Sequence, residues 1–373
     1  MQRMSNDVQQ RLNAVREALE VVSIEAGWFE AADARWQADA ASSIQQVDET
    51  LDTEDLTARS EPLLIRDFAV TQAWAAVNDW DPNFLAQHHP EHAATLRVGE
   101  PDGEPVRLSL SDMIAYCEAG AADRTPLYLW DYEFGERAPA LLDGYSEPTT
   151  ILPPPDLMSL MGVERPPFRW FAVGTVGSGC DVHQDPINTC AWNVLVHGRK
   201  RWALLHPSLS AEDVGVDALD DDAATAEWFL EVLPTLASKH GPTRVRVVDQ
   251  PPGSLLYVPS GWWHATWNLS RVSIAVTHNL VGWTSFASCW ARVRSEAGRE
   301  QAEDGGRTEH DAEASSHILN RLAAEYGLVD SEQAARWLEE IARYAGDKGL
   351  APPEGASHIL SSWRARAAMD CTN

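Results

Sequence analysis

GCDVHQDP, residues Gly179 to Pro186, is the stretch on which this 373-residue chain turns. On a strand, His183 and Asp185 are two residues apart and point to the same face. One imidazole nitrogen and one carboxylate oxygen begin a metal site but do not complete it. A third ligand candidate stands 79 residues beyond Asp185, in PGSLLYVPSGWWH, Pro252 to His264. There SLLYVP reads as a strand, Ser260-Gly261 as a turn, and His264 as the start of the next strand. A closed or double-sheet β-fold brings such distant residues to one mouth. Two histidines and one carboxylate on one face of an octahedral metal are the donor set of non-haem Fe(II) oxygenases. Three positions stay open, two for a bidentate 2-oxo acid and one for O₂.

Each part has a plainer account. A lone His-x-Asp is common, and a histidine after two tryptophans is usually a partly buried core residue. Zinc is a rival, with Cys180 and His183 joined by Cys190 or His197. No C-x-x-C supports it, and Cys190 reads most simply as a small core residue. The joint pattern outweighs its parts, because both segments flank strands and both carry Gly or Pro turns.

Outward from this centre the texture is β. PLLIRDF (Pro62–Phe68), RVRVV (Arg244–Val248) and VSIAVTHNLV (Val272–Val281) are short branched or apolar runs bounded by Pro, Gly and Ser. Strands spread over about 230 residues with few long helices predict a sandwich or barrel. Leu209 to Gly241 interrupts them with an acidic loop and a helix broken at Pro234. Before the β zone, Leu12, Val15, Leu19 and Val22 repeat at helical spacing within a segment from Val8 to about Ala40. An acidic link, Asp48 to Asp55, follows. After the β zone helix returns, with Ile318, Leu319, Leu322 and Ala323, then Ala335, Leu338, Ile341 and Ala342. The expected division is 1–58 helical, 59–290 catalytic with the insert 209–241, and 291–373 helical.

Lys and Arg number 29 against 56 Asp and Glu, a formal charge of −27. Such a surface repels phosphate and argues against duplex nucleic acid, while its field favours a basic protein or peptide partner. Five cysteines at irregular spacing make no disulfide framework and suit a reduced compartment. With no apolar leader core and no membrane-length apolar run, the expectation is an intracellular chain, cytoplasmic or nuclear.

The run PPFRWFAVGTVGSGCDVHQDPINTCAWNVLVHGRKRWALLHP, followed by QPPGSLLYVPSGWWHATWNL and SIAVTHNL, resembles the JmjC-domain 2-oxoglutarate oxygenases. The likeness extends to PLLIRDF and PLYLWDYEFGE, covers about Glu61 to Trp283, and is nearest the bifunctional arginine demethylase and lysyl-hydroxylase (phosphatidylserine-receptor-like) group. It implies a mainly β fold, a double-stranded β-helix (jelly roll, cupin-like) with helical segments at both ends. It also implies His183, Asp185 and His264 as Fe(II) ligands, and Lys200 as the partner of the far carboxylate of 2-oxoglutarate. Asn193, Tyr128 and Thr277 would hold or line the cosubstrate.

A buried dicarboxylate needs a compensating charge, which a lysine supplies. Strict alternation puts Lys200 with Trp202, away from Arg199 and Arg201, and leaves Asn193 on the opposite face unless a turn near Gly198 resets the register. Two departures stand out. Cys180 occupies a position where relatives often carry Thr, and His278 one where Gln is commoner; His278 is a candidate to reach the open metal face. The acidic insert is a candidate lid or substrate wall. The activity implied is O₂-dependent hydroxylation of a protein side chain, lysyl first, with N-methyl demethylation or small-molecule hydroxylation as alternatives. A non-catalytic cupin-like binding protein is the rival from another class. A homodimer through the C-terminal helices is a further expectation.

Overall fold

The structure, a computed structural model, describes residues 5–19, 21–25, 27–35, 44–48, 56–89, 96–98, 106–120, 123–149, 151–152, 156–165, 167–216, 218, 224–289, 292, 331–351 and 353. Two sheets face each other. The larger has nine strands: β1 (Gln45–Val47), β2 (Leu63–Ile65), β3 (Leu96–Val98), β4 (Val106–Leu108), β5 (Tyr128–Asp131), β6 (Arg169–Gly174), β8 (Cys190–His197), β11 (Leu255–Val258) and β13 (Ser273–Leu280). Their order is β1-β2-β11-β8-β13-β6-β5-β3-β4. The smaller runs β10-β9-β12-β7, from Val245–Gln250, Lys200–Leu205, Trp263–Asn268 and Gly179–Gln184. Every pairing is antiparallel except β1 on β2. This is the expected jelly roll.

The interior between the sheets is divided. At one end Leu64, Ala191, Trp202, Leu204, Val248, Leu256 and Val258 pack as an apolar plug. Toward the other end the inward positions of the large sheet become small, with Ala172 and Ala275. Polar residues occupy the room this leaves.

Gly198 settles the register of Asn193 against Lys200. Its φ is +90°, a conformation glycine takes freely, and a Cβ there would stand 2.5 Å from the Val272 carbonyl oxygen. The chain turns a corner at this point and passes from the large sheet to the small one. Alternation therefore restarts at Lys200, and Asn193 and Lys200 both face inward.

A second local device lies in β7. His264 pairs with His183, but Thr266 pairs with Cys180, so β7 carries one extra residue. A bulge of this kind re-aims side chains. Here it turns Cys180 and His183, three apart, toward the same cavity.

Two expectations need correction, and a third concerns a stripe the structure describes only in part. The insert's helix is not a lid. Residues 225–240 run as a continuous helical stretch whose Phe229, Leu233 and Leu236 pack with Val182, Ala203, Leu205 and Trp267 on the outer side of the small sheet. Nor does Pro234 break it. The turn before it, Trp228–Val232, is a π-helix, whose wider hydrogen bonding accommodates the proline ring. Residues 217 and 219–223 of the insert lie outside the described ones.

The N-terminal periodicity is the second. The helix ends at Ala18 rather than near Ala40; Leu12 and Val15 are buried, but Val22 is 50% exposed. A second helix, Trp28–Arg35, and then β1 follow.

The third is the apolar stripe near the C-terminus. On helix Ser331–Lys348, Trp337, Leu338 and Ile341 pack on Leu157, Met158 and Phe286 of their own chain. Each such buried side chain is worth about 2 kcal/mol. That face is filled by the chain itself; the stripe from Ile318 to Ala323 lies outside the described residues. No helix among the described residues is long and apolar enough to cross a membrane.

Candidate functional site

His183 on β7 stands directly opposite His264 on β12, their ring centroids 4.2 Å apart. Asp185, just past the end of β7, joins them. One donor atom from each of the three lies within 4.8 Å of the others. Among the described residues this is the one such cluster, and Cys180, Cys190 and His197 are not in it. The zinc arrangement is thereby set aside. The Cys190 thiol is buried and bonds the Leu280 carbonyl at 3.3 Å.

The tautomers follow from geometry. His183 Nδ1 is 2.7 Å from the Asp181 carbonyl oxygen, and His264 Nδ1 is 3.1 Å from that of Trp262. A carbonyl only accepts, so each Nδ1 carries the proton and each Nε2 presents a lone pair. Burial, reinforced by His183, pushes the His264 pKa down to about 4, opposed by Asp185. His264 is therefore neutral at pH 7, the state a metal requires.

Asp185 is held as well. Asn279 Nδ2 donates to its Oδ1 at 3.1 Å and to Thr189 Oγ1 at 3.0 Å. Sequence reasoning missed Asn279. The signal was there, since Thr277 and Asn279 are two apart on a strand.

The other end of the cavity differs in kind. Lys200 is only 2% exposed. Its Nζ donates to the Tyr128 hydroxyl at 3.2 Å, and no carboxylate within ion-pair reach is found for it among the described residues. Burial pushes its pKa down to about 8. Asn193 is equally buried, and its Oδ1 has no hydrogen-bond partner. Thr277, opposite Asn193 across β13 and β8, donates its hydroxyl to the Trp192 carbonyl at 2.8 Å.

All seven residues singled out in the sequence line this one cavity, together with Asn279, Cys180, Trp130 and Trp202. Arg199 and Arg201 point away and pair with Asp33 and Asp249. His278 does not reach the metal face. It projects from the opposite side of β13, its Nε2 2.8 Å from the Tyr145 hydroxyl and its ring stacked on Trp192. Burial, with Arg165 and Arg169 nearby, holds it neutral.

The arrangement can hold a divalent cation at one end and a buried anion at the other. Residues 170–280, from β6 to the end of β13, match the JmjC domain, hydroxylase, family. A JmjC domain thus occupies this central part of the chain. The match encloses every one of the seven residues except Tyr128. Among curated JmjC relatives, the lysine-specific demethylase JMJ21 of Arabidopsis thaliana is 36% identical over 234 residues, 61% of this chain and 24% of its own length. The bifunctional arginine demethylase and lysyl-hydroxylase psr-1 of Caenorhabditis elegans is 33% identical over 267 residues, 67% of this chain and 64% of its own. The 2-oxoglutarate and iron-dependent oxygenase JMJD4 of Homo sapiens is 29% identical over 135 residues, 35% of this chain and 30% of its own. This JmjC chain thus spans between a quarter and two thirds of the length of these relatives.

Proposed function

We propose that the chain is an Fe(II)- and 2-oxoglutarate-dependent dioxygenase that hydroxylates a protein side chain, most naturally lysyl. His183, Asp185 and His264 would hold the iron, and Lys200, Tyr128, Asn193 and Thr277 the 2-oxoglutarate. The donor set fits: two imidazoles anchored through Nδ1 and one fixed carboxylate suit Fe(II) and leave the opposite face open. Bound iron with 2-oxoglutarate and O₂ supplies the oxidising power for C–H hydroxylation, releasing succinate and CO₂.

The observation that carries the reading is Lys200. Without an anionic ligand, a dry ammonium costs several kcal/mol, even after the surroundings relax. A dicarboxylate entering the cavity would return its counter-charge, and the Tyr128 hydroxyl bonded to Nζ would fix the direction of approach. Asn193 lines the same cavity, and its amide N–H groups are donors that a carboxylate oxygen could accept from. Trp130 and Trp202 wall the cavity, and exclusion of water strengthens each of these interactions.

A lysyl substrate is supported by the activity named for psr-1 and by the −27 charge, which attracts cationic peptides at low salt. The test is succinate release with Lys-rich and methyl-Arg peptides, read alongside product mass. A gain of one oxygen on lysine supports the proposal, and loss of a methyl group from arginine would place the chain with demethylases. Stimulation by free amino acids or nucleotides alone would sink the protein-substrate reading. No stimulation at all, with iron bound, would favour a binding protein.

A further inference from the structure

The turn after Asp185 is held against its own backbone preference. Ile187 has φ 48° and ψ 26°, and Asn188 has φ 57°. Two successive non-glycine residues in the left-handed region are uncommon, and for a β-branched residue the conformation is a genuine outlier. Such a turn persists only when its surroundings over-determine it.

Packing does so on one side. Ile187 is 2% exposed and sits among Leu157, Met158, Phe286, Trp337, Leu338 and Ile341. The last three belong to helix Ser331–Lys348, outside the JmjC match, and Trp337 is itself anchored by its Nε1 donating to the Leu157 carbonyl at 2.8 Å. Hydrogen bonds do so on the other side. Ser260 Oγ donates to the Asn188 carbonyl at 2.6 Å, and Gln184 Nε2 to the Gly261 carbonyl at 2.6 Å. Asp185 is thus bracketed by two residues bonded to the turn that launches His264. Asn188 Nδ2 also reaches Ser288 Oγ at 3.3 Å.

We propose that Ile187 is a positioning residue for Asp185, and that the C-terminal helix sets metal affinity through it. With Trp337 seated, Ile187 is trapped and the turn stays left-handed, which presents the Asp185 carboxylate beside His264. With the helix displaced, the turn relaxes toward ordinary backbone and the carboxylate swings away. The inference rests on the reading of Asp185 as a metal ligand.

The test is Co(II) binding by calorimetry to the full chain, below the unfolding temperature of every variant. Wild type is compared with Ile187→Ala, Trp337→Ala and the double variant. Leu236→Ala, in the helix behind the small sheet, serves as a comparably destabilised control. Each single variant is expected to weaken Co(II) about tenfold, the scale on which residues behind metal ligands act. The double variant should lose little more than the worse single, since both act through one turn. Leu236→Ala should bind as wild type does. Should Trp337→Ala fail to fold, Leu338→Ala takes its place in the same cycle. Wild-type affinity in the singles despite lowered Tm, or strictly additive losses, would overturn the proposal. If wild type itself binds no Co(II), the metal reading of Asp185 fails instead, a result that no variant data could mimic.

Discussion

The two ends of the JmjC cavity follow opposite designs. At the metal end, the groups that aim the ligands have partners: both Nδ1 atoms bond carbonyls, and the Asp185 carboxylate accepts from Asn279. At the Lys200 end the buried ammonium is stranded, hydrogen-bonded among the described residues only to a neutral hydroxyl, with the Tyr128 and Trp202 ring centroids 5.8 Å away. Aiming a ligand requires a satisfied scaffold behind it. Capturing an anion from water instead requires unmet demand, because the ligand's own desolvation must be compensated. The first end is stable as it stands, whereas the second lowers the stability of the fold until it is filled.

That contrast can be broken most forcefully at Lys200. Replacing Lys200 with Met keeps the volume and removes the charge. Cosubstrate binding should fall at least 100-fold, yet the unliganded protein should become more stable. The pKa of Lys200 lies at about 8 against an ordinary 10.5, so the fold disfavours its proton. The penalty is present in full below pH 8 and disappears as pH rises to about 10.5. At pH 7 it amounts to about 3 kcal/mol as an upper bound. Urea melts should therefore show Lys200→Met ahead of wild type at pH 7, with the gap closing toward pH 10.5. Equal or lower stability at pH 7 would mean that the ammonium has a counter-charge after all.

Asn279→Ala tests the other end. It should cost about 10-fold in metal affinity, measured with Co(II) or Mn(II), because Asp185 loses its guide. Cosubstrate affinity of the metal-loaded protein should hardly change, and an equal loss in both would erase the distinction between the ends. A smaller effect is expected at Asn193→Leu, which removes the stranded oxygen and, with it, the amide N–H donors that a carboxylate could accept from. Its unliganded Tm should rise by a few degrees while cosubstrate binding weakens about 10-fold. Smallest is Cys180→Thr, which adds a hydroxyl to the cavity wall. A few-fold tightening of cosubstrate, seen by competition binding, would show that the hydroxyl adds a hydrogen bond to it.

Why the metal end was legible follows from the same contrast. His183 and Asp185 are two apart beside a strand, and His264 begins another, so period-2 alternation nearly fixes their direction. Their supports are backbone carbonyls, which sequence does not display. Asn279 is not legible as a carboxylate's partner because such a partner has no motif of its own, although its spacing from Thr277 marks its face. Asn193 and Lys200 looked opposed because alternation was carried through Gly198, where the chain changes sheets. Pro234 signalled a break that a π-turn absorbs. The insert resembled a lid because acidity says nothing about which face an apolar helix covers, and here Phe229 and Leu233 bury the outside of the small sheet.

We expect one cavity to hold Fe(II) at its satisfied end and 2-oxoglutarate at its unsatisfied one. The most direct measurement is an anaerobic titration of the metal-free protein with Fe(II) and 2-oxoglutarate, following the visible charge-transfer band of the chelate. A band is expected in wild type, with its loss in His183→Ala and its displacement to at least 100-fold higher cosubstrate in Lys200→Met. Iron bound in wild type with no band at any 2-oxoglutarate concentration would contradict it.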